Sequence, residues 1–436
     1  MTPSHIFRLT NQLQNYAWGS TTAIPTLLGA VGDGRPVAEM WLGAHALGPS
    51  MADPVLLPLA AVGTPAALPS ALPDAAATPA GPPADPAAAG RRSLADLLRA
   101  DPDRLLGRSV VEAYGPRLPY LLKFLAAASP LSLQVHPKPH VARAGYSQEN
   151  AAGVLPDSPE RNFKDDQHKP EMLVALTPFE GLCGFRRPAR ILALLDGLEG
   201  YTVGQMRAAL VTRPTADGVR AAFEIALSAR EGDCTADLAR TIDSIRGRID
   251  RGESTSRGDQ TAVDLATCFP GDPGALVSLM LNRMSLAPGQ AVFLGAGEIH
   301  AYLSGVGVEV MASSDNVLRA GLTTKRIDVD VLLRCASYAP RPPEHPVLRA
   351  EPGGLTGYRA PVAEFALIYG RVAGEALITH TGPRILLCLD GEVEITGPLG
   401  PLVCVTQGES VFIGHDAGQV TLVGSGVVVV AYVPYA

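Results

Sequence analysis

Residues 131–140 read LSLQVHPKPH, directly after the apolar run LPYLLKFLAAASP, and place Gln134 and His136 on what should be a core-filling β-strand. Alternate strand residues share a face, so the two polar side chains point together while Val135 points away. Burying such groups costs free energy unless something satisfies them. A divalent metal ion would do so, since Zn²⁺ or Mn²⁺ accepts imidazole nitrogen and amide oxygen. A single strand histidine is more often a hydrogen-bonded core residue, so this reading needs further ligands. Pro137 and Pro139 are expected to end the strand at the rim of the cavity.

The elements that would carry such a site are legible in outline. The chain has 436 residues, 47% of them hydrophobic and 18% charged, enough for two or three domains. Its 36 basic and 43 acidic residues give a net charge of −7 without a basic stripe, so no nucleic-acid or membrane partner is expected. The start, MTPSHIFRLTNQLQNYAWGS, lacks the pattern of a signal peptide, and a cytoplasmic setting is expected. Six scattered cysteines form no CxxC pair and read as small buried hydrophobes in a reducing compartment. From about 61 to 90 the chain is mostly Ala, Pro and Gly and reads as a disordered surface insertion. Ser93 is the expected N-cap where SLADLLRADPDRLLG resumes the fold. Residues 186–266 switch to helical periodicity in PARILALLDGL, TVGQMRAALV, ADGVRAAFEIALSA and ADLARTIDSIRGRI, which predicts a block of four or five short helices. Elsewhere short β-type runs such as AVFLG, GVEVMA, RILLCLDGEVEITG, PLVCVT and ESVFIG alternate with turn residues, as in antiparallel sandwiches or barrels.

Two of these runs repeat. GQAVFLGAGEIH (289–300) and GESVFIGHDAGQ (408–419) share a strand and a tight turn at identical spacing. Both resemble the second signature motif of the cupin superfamily, with Gly295 where that motif usually has Pro and Gln419 where its metal-ligating His would stand. The resemblance implies two cupin-like domains, of which only the first looks able to bind metal. His300, at the ligand position, and Glu171, in HKPEM, then become natural companions of Gln134 and His136.

Longer stretches make the resemblance specific. NYAWGS (15–20), AEMWLGAHALGPS (38–50), LPYLLKFLAAASPLSLQVHP (118–137), DDQHKPEMLVALTPFEGLCGFR (165–186) and residues 297–333 together resemble the type I mannose-6-phosphate isomerases (phosphomannose isomerases) over nearly the whole chain. The resemblance implies a mainly β fold with an α-helical insertion, in which two cupin-like (jelly-roll) β-domains flank a helical domain. Residues 1–185 and 267–338 would form the catalytic cupin, 186–266 the helical domain and 339–436 a metal-free cupin-like β-domain. It implies one Zn²⁺, or another divalent ion, held by Gln134, His136, Glu171 and His300. The implied activity is a metal-dependent aldose-ketose isomerase, interconverting mannose 6-phosphate and fructose 6-phosphate through a cis-enediol(ate). It would supply mannose 6-phosphate for GDP-mannose synthesis or mannose catabolism, acting as a monomer. Two departures stand out: the Ala/Pro-rich insertion, and Thr324 where the family commonly has Pro.

Roles follow from chemistry within that frame. Arg319 and Lys325, in RAGLTTK, supply cations; Arg319 is assigned a catalytic role and Lys325 the phosphate, helped by Ser132 and Lys123. Glu309, Asp315 and Lys169 are candidates for the proton-transfer base or its orienter, and a carboxylate in that role needs partial desolvation. Tyr302, two residues beyond His300, is placed to hold a sugar hydroxyl. Trp18 is read as a substrate contact, and Trp41 and His45 as lining or bracing the cavity. Three competitors are weaker. A cupin oxygenase would favour a histidine-richer set than one containing Gln134. A non-catalytic sugar-binding cupin needs neither Arg319 nor Lys325 beside the acidic cluster. A bifunctional guanylyltransferase-isomerase needs a Gly-rich nucleotide segment near the N-terminus, and none appears.

Overall fold

The computed structural model describes residues 5–55, 92–230, 234–397 and 400–434. The Ala/Pro-rich stretch lies outside the described residues. Two antiparallel sheets and a helical block make up the rest. No helix among the described residues is long and apolar enough to cross a membrane.

The spine of the first sheet is the strand His300–Ala312. Its first half pairs with Phe179–Phe185 and, at His300, with Leu133–Val135. Its second half pairs with Tyr120–Ala127 on one side and Glu171–Ala175 on the other. Between the halves the register shifts from Tyr302 to Ser304. A bulge of this kind inserts one residue and reverses which side chains face inward. Residues 300 and 309, an odd number apart, can therefore share the cavity face.

Alternation then divides each strand between two cores. In Tyr120–Ala127, Leu122, Phe124 and Ala126 pack outward against Phe365, Leu367, Ile385, Leu387 and Phe412 of the second sheet. Leu125 and Ala127 join the interior of the first, with Lys123 on the same inward register. In Leu133–Val135, Leu133 and Val135 are buried in the core of the helical block, which leaves Gln134 facing the other way. Leu318, Ala320 and Leu322 enter that same core, so Arg319 is turned like Gln134. The helical block therefore backs the two strands that carry these polar residues.

The expected strand over 131–140 is only three residues long, and Pro139 occupies the first turn of a helix, Pro139–Ala151. Proline suits that position because the first turn of a helix has no acceptor for its missing N–H. Ser93 does cap Leu94–Ala100, its hydroxyl accepting from the Asp96 amide. The helical block runs further than residue 266: Arg257–Cys268 ends later, and Gly274–Met280 is wholly buried. Both repeats form four-residue buried strands, Ala291–Leu294 and Ser410–Ile413, each preceded by a glycine near φ 80° (82° at Gly289, 80° at Gly408).

The opening strand differs from expectation. Ile6–Thr10 belongs to the second sheet, paired with Ser410–Ile413 and with Met51–Pro54, while Gln12–Gln14 pairs with Glu39–Gly43 of the first. Ile6 is buried in the core of the C-terminal sheet, which accounts for the crossing. At the crossing Asn11 donates to the Ser410 hydroxyl and accepts from that of Ser50.

Candidate metal centre and active site

His136, Glu171 and His300 converge, with ligand atoms all within 4.8 Å of one another and all three side chains buried. Each imidazole is aimed by its Nδ1, which donates to the Asn316 carbonyl at 2.7 Å in His136 and to the Glu298 carbonyl at 2.9 Å in His300. The neutral ring then has its lone pair on Nε2. These Nε2 atoms lie 3.2 and 3.4 Å from the Glu171 carboxylate oxygens. Both Nε2 atoms and Glu171 Oε2 are buried without a hydrogen-bond partner. Burial, reinforced by Lys169, pushes His136 down to about 4, so its ring is neutral near pH 7. Lone pairs facing a carboxylate out of water repel unless a cation lies among them. The donor set of two nitrogens and a carboxylate suits zinc. Gln134 is the direct strand partner of both His300 and Arg319 and thus shares their face.

The cavity wall beyond the histidines is a buried charge network. Lys169 Nζ donates to Glu171 Oε1 at 2.5 Å. Burial opposes the Glu171 charge, but Lys169 and His136 outweigh it and hold the carboxyl well below the usual range. Lys123 Nζ lies 3.2 Å from Glu309 and 3.7 Å from Glu39. Burial opposes its charge too, but Glu39, Glu309 and Glu171 reverse the effect and raise its pKa. Tyr302 donates to Glu309 Oε1 at 2.7 Å. The Glu309 carboxyl is pushed up by burial and by Glu171, against the opposing pull of Lys123 and Lys169. Three buried carboxylates thus outnumber two buried ammonium groups, which favours an added cation.

At the mouth the balance reverses. Arg319 and Lys325 have no ion pair among the described residues. Arg319 lowers the Lys325 pKa, with partial burial adding to the effect, so the two cations feel one another's charge. Tyr16 stacks on Trp18 at 5.7 Å, and Asp315 meets His45 at 3.4 Å. Burial of Asp315 opposes its charge, but His45, Lys169 and Lys123 together lower its pKa.

A sequence profile of the phosphomannose isomerase type I catalytic domain matches residues 6–57 and 75–188. The chain is 34% identical over 424 residues to the mannose-6-phosphate isomerase of Escherichia coli, covering 96% of this chain and 97% of that protein. It belongs to the type I phosphomannose isomerase family. Crystal structures agree: a phosphomannose isomerase variant from Salmonella typhimurium superposes with a TM-score of 0.82 at 32% identity over 98% of this chain and 99% of the other. A zinc-bound mannose 6-phosphate isomerase does so with a TM-score of 0.81 at 33% identity over the same shares. The mainly β, cupin-like architecture with its helical part is thus the family's.

The family's motifs pointed to nearly all of these residues, but the structure gives several of them a sharper setting. Lys123 is locked between carboxylates deep in the wall rather than free for a phosphate, and the Tyr302 hydroxyl is engaged by Glu309. Trp41 braces, donating to Glu39 Oε2 at 2.6 Å and meeting His45 edge-on. Ser132 precedes the strand, half-buried, and Trp18 is half-buried at the mouth. Two residues escaped sequence reading. Glu39 is a buried charge in the otherwise apolar strand EMWLG, and its spacing from Trp41 was the available signal. Asn316 orients His136 through its backbone, and its amide donates to the Gln167 carbonyl.

Proposed function

We propose that the chain is a zinc-dependent aldose-ketose isomerase acting on mannose 6-phosphate and fructose 6-phosphate. The observation that carries this reading is the convergence of His136 Nε2, His300 Nε2 and Glu171 Oε2 as buried acceptors without a hydrogen-bond partner, beside Gln134, whose strand partner Arg319 has no ion pair among the described residues. Gln134, His136, Glu171 and His300 hold the metal, which when bound stabilises negative charge developing on the C1 and C2 oxygens.

The protein's own residues supply the rest. Lys325 binds the phosphate as a point charge, with Ser132 at the same end. Arg319, on the face of Gln134, steadies the substrate oxygens. Glu309 is the favoured base for the C2 proton, because it stands buried in the cavity wall with its oxygens fixed by Tyr302 and Lys123, whereas Asp315 is engaged by His45 at the mouth. Tyr302 and Lys123 fix the Glu309 oxygens, and Lys169 fixes Glu171. Asp315 orients through His45, and Trp18 offers an apolar wall to the sugar. The six cysteines are free, which suits a reducing cytoplasm, and the chain works as a monomer.

The test is a coupled isomerase assay on the zinc-loaded protein, with and without chelator, alongside Gln134→Leu. Chelation should abolish activity, and Gln134→Leu should lower zinc content and rate together. An inactive zinc-replete protein, or a metal-free one with full activity, refutes the reading.

A further inference from the structure

The segment that carries Lys325 is fastened from outside the sheet. Between Arg319 and Lys325 lie Ala320, Gly321, Leu322, Thr323 and Thr324. Leu322 is the one non-glycine with left-handed backbone among the described residues, at φ 55°. A side-chain-bearing residue holds that conformation only where its surroundings enforce it. Here the enforcement comes from the helical block. The Leu322 side chain is buried in the helical core, and a Cβ built on Gly274 would come within 2.8 Å of its Cδ2. Asp272, buried between the last two helices of the block, accepts the Thr323 amide on Oδ2 at 3.2 Å and the Gly274 amide on Oδ1 at 2.8 Å. Arg230, just past the helix Ala216–Ser228, lies 3.1 Å from the same Oδ2 and donates to the Thr323 carbonyl. Both backbone polar groups of Thr323, two residues before Lys325, are thus held by one ion pair that belongs to the helices.

We infer that Asp272 and Arg230 are positioning residues for the phosphate end of the substrate. They hold the Thr323–Lys325 end of the segment against the cavity mouth, so that Lys325 is already in place when the phosphate arrives, while Arg319 is set separately by its strand pairing with Gln134. The helical block is then a determinant of substrate affinity as well as a support. Such preorganisation acts on binding and leaves the chemistry at the metal untouched. The inference rests on the reading of Lys325 as a phosphate ligand.

The experiment uses the zinc-loaded full chain and the variants Arg230→Ala, Arg230→Lys, Asp272→Asn and Lys325→Ala. It reads kcat, KM for mannose 6-phosphate, inhibition by inorganic phosphate, and zinc content. Loss of one backbone anchor should raise KM and the phosphate inhibition constant about fivefold, with kcat and zinc content unchanged. Arg230→Lys should recover part of the loss. Arg230→Ala added to Lys325→Ala should add little further. Arg230 is partly exposed, so its variants remain informative even if Asp272→Asn fails to fold. If Lys325→Ala raises both constants but neither Arg230→Ala nor Asp272→Asn does, the clamp is refuted. It is equally refuted if its variants lower kcat and zinc content in proportion. If Lys325→Ala itself changes neither constant, the phosphate assignment fails and the inference falls with it.

Discussion

Glu309→Gln separates the stability of the buried network from its chemistry. The amide keeps the size of the side chain and can still accept from Tyr302, but it leaves Lys123 with only Glu39, at 3.7 Å instead of 3.2 Å. Two unit charges 3.2 Å apart attract by about 5 kcal/mol at an effective dielectric of 20. Removing one partner of a buried pair typically costs about 3–5 kcal/mol. Two effects pull the loss toward the lower end of that range. Glu39 remains beside the ammonium, and the repulsion between Glu309 and Glu171 that helps raise the Glu309 pKa is relieved. The raised pKa means that without zinc folding disfavours the Glu309 charge. A loss of about 3 kcal/mol in urea unfolding is therefore expected of the zinc-loaded protein, where the cation offsets Glu171, and little or none of the metal-free one. Adding Lys123→Met removes the stranded ammonium and should return about 1–2 kcal/mol, while both variants stay inactive in the coupled assay because the base is gone. The reasoning fails if zinc-loaded Glu309→Gln unfolds like the parent, or if Lys123→Met on top of it costs further stability.

Other outcomes follow from the same contacts. Chelation should lower the melting temperature and zinc should restore it, since three buried acceptors lose their partner at about 1–3 kcal/mol each; an unchanged melting curve would count against a metal among them. Leu133→Ala should cost about 2–5 kcal/mol and depress activity, because Leu133 packs into the helical core behind Gln134; full activity in the folded variant would show that this packing does not set the site. Arg384 is fully buried and donates to the carbonyls of His380, Gly414 and Gly418 around the turn of the second repeat. Arg384→Ala should destabilise the protein by about 3 kcal/mol or more without changing zinc content, and zinc loss on that substitution would show the two sheets to be coupled.

How much could be read beforehand depended on the range of the interaction. Period-two alternation turned Gln134 away from Val135, and the repeated turn marked His300, because both are local patterns of a few residues. Caps and helices were legible for the same reason, as at Ser93. Partners across the sheet were not. Sequence motifs assigned Lys123 to substrate, but the strand register sets it beside Trp41 on one side and Glu309 on the other, where carboxylates consume its charge.

By itself the amino-acid sequence determined the helical insertion and the repeat, which are carried by residue types at short, fixed spacing, and its resemblance to the family pointed to His136, Glu171 and His300, which the structure brings together. Only the tertiary structure decided what those residues do to one another. It moved Ile6–Thr10 into the second sheet, because alternation specifies a buried face without naming its partner. It brought Glu309 onto the face of His300 through a bulge, and it fastened Thr323 to Asp272, 51 residues away in the chain. Electrostatics and burial depend on distances in space, and those exist only once the strands have paired.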